Sequence, residues 1–175
     1  MKPGEYMRVI LIFLLMLPLS LSAQSWDIVP DEGVFGVRWT ASEAELIETL
    51  GEPNGYFELS RFRKMVYYGK SHSFLLINNQ LKGYYFLEHN HSNMLNESVA
   101  KNQQFDQAVV TISGKSVFDE SFEDVENLLD IELGEPDYRA SFITDFVSVN
   151  LTFPSMTMGS TRSFRLGGVE IKYEL

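Results

Sequence analysis

One pattern occurs twice in this chain. Gly33-x6-Thr40-x2-Glu43 closes at Leu50-Gly51-Glu52-Pro53, and Gly114-x6-Ser121-x2-Asp124 closes at Leu133-Gly134-Glu135-Pro136. Gly33 to Gly114 and Thr40 to Ser121 are each 81 residues, while the Leu-Gly-Glu-Pro offset is 83. A slip of two residues inside the helix reconciles the offsets. The chain therefore reads as α+β: two tandem helix-plus-antiparallel-sheet repeats, their helices packed on one face of a shared antiparallel sheet. The divisions are a signal peptide over 1–23, repeat 1 over 24–88, a connector over 89–106 with helical spacing around 94–106, and repeat 2 over 107–175.

Local chemistry explains each element. Thr40-Ala41-Ser42-Glu43 reads as a capping box, the hydroxyl accepting from an amide that the Glu position answers. Leu46, Ile47 and Leu50 form an apolar stripe, Gly51 supplies a left-handed stop, and Pro53 forbids continuation. Ser121 to Asp124 starts the second helix in the same way, with Gly134 and Pro136 ending it. Strands are expected at Met65–Tyr68, Phe74–Ile77 and Leu81–Leu87, with Asn78-Asn79 as a hairpin turn. The second half reads as strands over Phe142–Phe153, Arg162–Leu166 and Val169–Tyr173, with Gly167-Gly168 turning the last two.

The two halves differ in pattern. Val147, Val149, Leu151 and Phe153 alternate with polar residues, as a sheet with one wet face requires. Met65-Val66-Tyr67-Tyr68, Phe74-Leu75-Leu76-Ile77 and Tyr84-Tyr85-Phe86-Leu87 are apolar at successive positions. Because neighbouring side chains on a strand point to opposite faces, each Tyr doublet aims one ring at the helix and one away. The candidate binding face is therefore drawn from Tyr67, Tyr68, Phe74, Tyr84 and Tyr85, with Arg61, Arg63 and Lys64 as its polar rim.

Lys2 and Arg8, the apolar run Val9–Leu17 and the small-residue exit to Ala23 read as a cleaved signal peptide, so a periplasmic or secreted, unlipidated protein is expected. Its loss takes the basic residues from 14 to 12 and the acidic from 24 to 23, moving net charge from −10 to −11. So acidic a chain is a poor match for nucleic acid, whose phosphates need clustered Lys and Arg. No second apolar stretch approaches spanning length. With no cysteine, stability rests on packing and thiol catalysis is excluded. No Gly-x-Ser-x-Gly elbow, Walker loop or Gly-x-Gly-x-x-Gly cradle occurs. His89 and His91, with Glu88, supply too few ligands to specify a metal site. No catalytic residue, metal or cofactor is expected.

Trp39-Thr40-Ala41-Ser42-Glu43, Leu50-Gly51-Glu52-Pro53 and Val66-Tyr67-Tyr68-Gly69, with their second copy, resemble the BamE/OmlA-like and β-lactamase-inhibitor-protein-like group of exported bacterial modules. That resemblance implies a non-enzymatic module that binds a protein partner in the cell envelope. The alternative is a periplasmic inhibitor or immunity protein whose acidic surface captures a basic enzyme or toxin.

Overall fold

The computed structural model describes residues 26–87, 99–158 and 161–174. The expected signal segment and His89 and His91 lie outside the described residues. A seven-stranded antiparallel sheet organises the molecule, in the order β4-β5-β6-β7-β13-β10-β9. Its strands are β4 (Gly55–Ser60), β5 (Arg63–Tyr68), β6 (His72–Ile77), β7 (Gln80–Leu87), β9 (Arg139–Ile143), β10 (Val147–Thr152) and β13 (Gly168–Tyr173). The two halves of the chain meet where β7 pairs with β13. A smaller sheet runs β3-β2-β1-β8, from β1 (Asp27–Val29), β2 (Gly33–Val34), β3 (Val37–Arg38) and β8 (Thr111–Ile112). Strands β11 (Ser155–Met158) and β12 (Thr161–Phe164) form a separate two-stranded sheet among the described residues. The helices are α1 (Glu43–Leu50), α2 (Gln103–Asp106) and α3 (Phe122–Leu129). The fold is α+β and dominated by strands.

Register explains the layering. One row across the large sheet reads Val66, Phe74, Tyr84, Ile171, Val149, and every member is fully buried. This inner face carries α1 through Leu46 and Leu50, and α3 through Phe122 and Val125, all in one apolar cluster. The small sheet also lies on it, since the Phe35 ring meets Phe74 and Tyr84 edge-on. The adjacent row, Tyr67, Ser73, Tyr85, Glu170, Asn150, Ser141, lies on the opposite face. That outer face is apolar on β5 to β7 and polar beyond.

Several expectations need correction. The N-cap of α1 is Ser42: its hydroxyl accepts from the Glu45 amide, and the Glu45 carboxylate accepts from the Ser42 amide. Thr40 instead sits at φ 70°, a conformation outside a normal cap. Helix α3 begins after Ser121 and ends at Asp130, so Leu133-Gly134-Glu135-Pro136 does not stop it. The mismatch between offsets falls on both sides of the helix, since the caps Ser42 and Ser121 are 79 residues apart, and on the far side the amide of Leu133 donates to the Glu126 side chain. Gly167-Gly168 is not a hairpin turn, because β13 pairs with β7 and β10 rather than with β12. Phe142–Phe153 is not one strand but parts of β9 and β10. Asn78 and Asn79, at φ 52° and 61°, do form the β6–β7 turn. Within the described part of the expected connector helix, only Gln103–Asp106 is helical. Strand β4 was not anticipated. Among the described residues, no helix is long and apolar enough to cross a membrane.

A candidate protein-binding edge

Strand parity divides the five aromatic candidates, so they do not form one face. Tyr68, Phe74 and Tyr84 point inward and are fully buried. The Tyr68 hydroxyl donates to the carbonyl of Gly51 at 2.8 Å, tying β5 to the end of α1. Burial raises the Tyr68 phenol, reinforced by Tyr56, Glu52 and Glu43. Burial alone raises the Tyr84 phenol well above its ordinary value. Tyr67 lies on the outer face but is only 8% exposed. Tyr85, half-buried on the same face, stands beside Glu170, which forms an ion pair with Lys172 at 2.9 Å. Desolvation, then Glu170, raises the Tyr85 phenol.

The polar rim is where the surface opens. Arg61 and Arg63 are exposed at the β4–β5 turn, and neither joins an ion pair among the described residues. Lys64 differs from them: it lies on the inner side and pairs with Glu43 of α1. Arg61 stacks on the Phe62 ring at 5.3 Å and Lys64 on Tyr56 at 5.1 Å. A cleft of about 340 Å³ lies at this turn, where Glu58 shares the lining with Arg61, Phe62, Arg63, Lys64 and Asn78.

The residues beside that rim went unread in the sequence. Strand β4 is an edge of the large sheet, and Tyr56, Phe57 and Leu59 on it are 49%, 53% and 47% exposed, with Phe62 at 59% in the turn. Tyr56 shares the inner side with Val66, and Phe57 shares the outer side with Met65. Each face of this edge therefore exposes an aromatic ring, with Glu58 beside Tyr56 on the inner one. Sheet edges are usually blunted by Lys, Pro or bulges, because unpaired N–H and C=O groups template further strands. Gly55–Ser60 contains neither Lys nor Pro, and its one bulge comes after Glu58. Register is regular over Gly55–Glu58.

The opposite edge is less open. In β9, Ala140 is buried and Phe142 half-buried, which leaves Ile143 as its one exposed large apolar residue. Sequence held a signal for β4: four large apolar residues stand between Gly55 and Arg63. Interspersed Glu58 and Ser60, directly after a helix stop, disguised it as loop.

Other clefts carry less chemistry. Two, of about 420 and 500 Å³, flank the β2–β3 hairpin near Glu32, Arg38 and Glu45. Among the described residues, no three His, Asp or Glu side chains converge as a metal site. The one buried polar or charged side chain among them, His72, is committed to two hydrogen bonds.

No protein-family model matches the chain, and no curated protein does. Among solved structures it is similar to an extracellular protein containing a SCP domain from Bacillus anthracis str. Ames, at 14% identity and a TM-score of 0.41. The match covers 78% of this chain and 44% of that one, so the chain spans less than half of that protein's length.

Proposed function

We propose that this chain is an exported, non-enzymatic binding module that captures a protein partner in the cell envelope through β4 and the turn at Arg61 and Phe62. The observation that carries this reading is an edge strand with exposed apolar side chains on both faces and a regular, unpaired backbone margin among the described residues. Aromatic residues with Arg are the usual anchors of protein interfaces. Export rests on the charged, apolar and small-residue succession at the N-terminus.

The finer architecture, two tandem repeats of the BamE-like and β-lactamase-inhibitor-like kind, is supported by matched helix starts. Helices α1 and α3 each have eight residues, a Ser N-cap at ψ 163° and an acidic residue three positions on. Their caps, Ser42 and Ser121, are 79 residues apart.

The test is a pair of lysine substitutions, Phe57→Lys with Leu59→Lys, followed by capture from the native envelope fraction. Loss of a specific partner at unchanged thermal stability supports the reading. Undiminished capture of that partner removes β4 from it.

A further inference from the structure

The charges around β4 are sorted by face. On the inner side Glu58 lies opposite Lys64 in the register, and Lys64 is already neutralised by Glu43. Glu43 and Glu52 are both near enough to Tyr56 to raise its phenol, after desolvation. On the outer side the signs reverse. Arg63 lies opposite Ile77, in the same alternation as Met65 and Tyr67, and Arg61 lies at the turn itself. A chain of net charge −10 thus places two guanidinium groups that join no ion pair among the described residues beside an exposed apolar strand edge, with Glu58 lining the same cleft.

Resting on the binding reading above, we propose that the occupant of this edge is an extended, proline-free strand of a partner protein. It adds to β4 over Gly55–Leu59 and carries acidic side chains on its outer side, toward Arg61 and Arg63. Strand addition supplies main-chain hydrogen bonds without sequence preference, and alternate side chains supply the choice. Each face makes its own demand. Phe57 accepts apolar side chains on the outer side, Arg61 and Arg63 accept carboxylates at its turn end, and Glu58 repels carboxylates on the inner side. Guanidinium groups bind carboxylates in a planar, two-pronged geometry that Lys does not reproduce. A second copy of this chain is disfavoured as occupant, because the one carboxylate that its β4 offers, Glu58, lies on the inner side and not on the side of Arg63.

The experiment uses three capped octapeptides as probes. The first alternates valine and threonine except for two acidic residues placed two positions apart near its end, so that both point to one side. A second has lysine in place of the acids, and a third is the acidic peptide with a central proline. Binding is read by amide NMR and hydrogen exchange on the whole protein. The acidic peptide is expected to slow exchange at Gly55–Leu59 and to bind about tenfold more tightly than the lysine peptide. The proline peptide loses binding, because its ring removes a donor, and Arg61→Glu with Arg63→Glu reverses the preference. Four results would overturn the proposal: equal binding of the acidic and lysine peptides, undiminished binding of the proline peptide, protection outside β4, or concentration-dependent pairing of two copies through β4. Partner capture that is lost with the Phe57 and Leu59 substitutions but unaffected by the two Arg→Glu changes would reject the acidic strand while leaving β4 as the binding edge.

Discussion

Nε2 of His72 lies 2.9 Å from the carbonyl oxygen of Phe105, linking β6 to α2 inside the core. A carbonyl only accepts, so Nε2 carries the proton. Nδ1 then accepts from the Tyr84 hydroxyl at 2.8 Å. The rings of Trp26, Phe35, Phe86 and Phe105 surround this neutral imidazole. Desolvation lowers the His72 pKa to about 4, against smaller opposing effects of the Phe105 carbonyl and Asp106.

Acid should therefore weaken the fold through His72. The unfolded chain, with imidazole near 6.5, binds a proton that the folded chain refuses until about pH 4. Stability from this group is complete above pH 6.5 and declines as pH falls toward 4. The loss is on the order of 3 kcal/mol, at about 1.4 kcal/mol per pH unit. Urea unfolding midpoints measured across that range should fall, and His72→Gln should flatten this part of the profile.

The cap of α1 offers a second check. Ser42→Ala removes the acceptor for the Glu45 amide and should cost about 1 kcal/mol. Thr40→Gly should instead stabilise, by up to about 1 kcal/mol, because Thr40 is held at φ 70° where a side chain is strained. Thermal melts of the two variants should shift in opposite directions. Were Thr40 the cap, Thr40→Gly would fall slightly and Ser42→Ala would not.

Parity on β7 separates the members of a tyrosine doublet. Tyr84→Ser removes a fully buried ring that orients His72, and should cost about 3–5 kcal/mol. Tyr85→Ser, at a half-buried outer position, should cost roughly 1 kcal/mol or less. Denaturant unfolding of both variants gives the comparison.

Asp106 organises the approach of α2 to the sheet. One carboxylate oxygen accepts from the amides of Lys70 and Ser71, and the other from Asn102. Gly69, at φ 66°, lies so near that a Cβ there would collide with this carboxylate. Asp106→Ala, which orphans three amides, should cost about 2–4 kcal/mol. Gly69→Ala should be similarly harmful because it adds backbone strain to the collision. Amide exchange at Lys70 and Ser71 should accelerate in both variants.

Near-neighbour chemistry was legible in the sequence. Acid-rich helix starts after Ser or Thr, the left-handed Asn78-Asn79 turn and the alternation of Val147, Val149 and Leu151 all follow from rules that operate over a few residues. The apolar doublets also announced that both sides of β5 to β7 bury side chains. Sequence did not show which ring of each doublet turns inward, because that parity depends on where β5 and β7 join their neighbours. The cap at Ser42 rather than Thr40 is tertiary in the same sense: the Thr40 amide donates to Leu81 across the fold, which holds Thr40 outside the helix. The candidate site was half visible. Arg61 and Arg63 stood out as charge, but the exposed apolar strand beside them is recognised only when the sheet order leaves β4 without a neighbour on one side. Hydrophobic patterning states how many faces a strand buries, whereas the pairing of distant segments decides which strand is left at the margin.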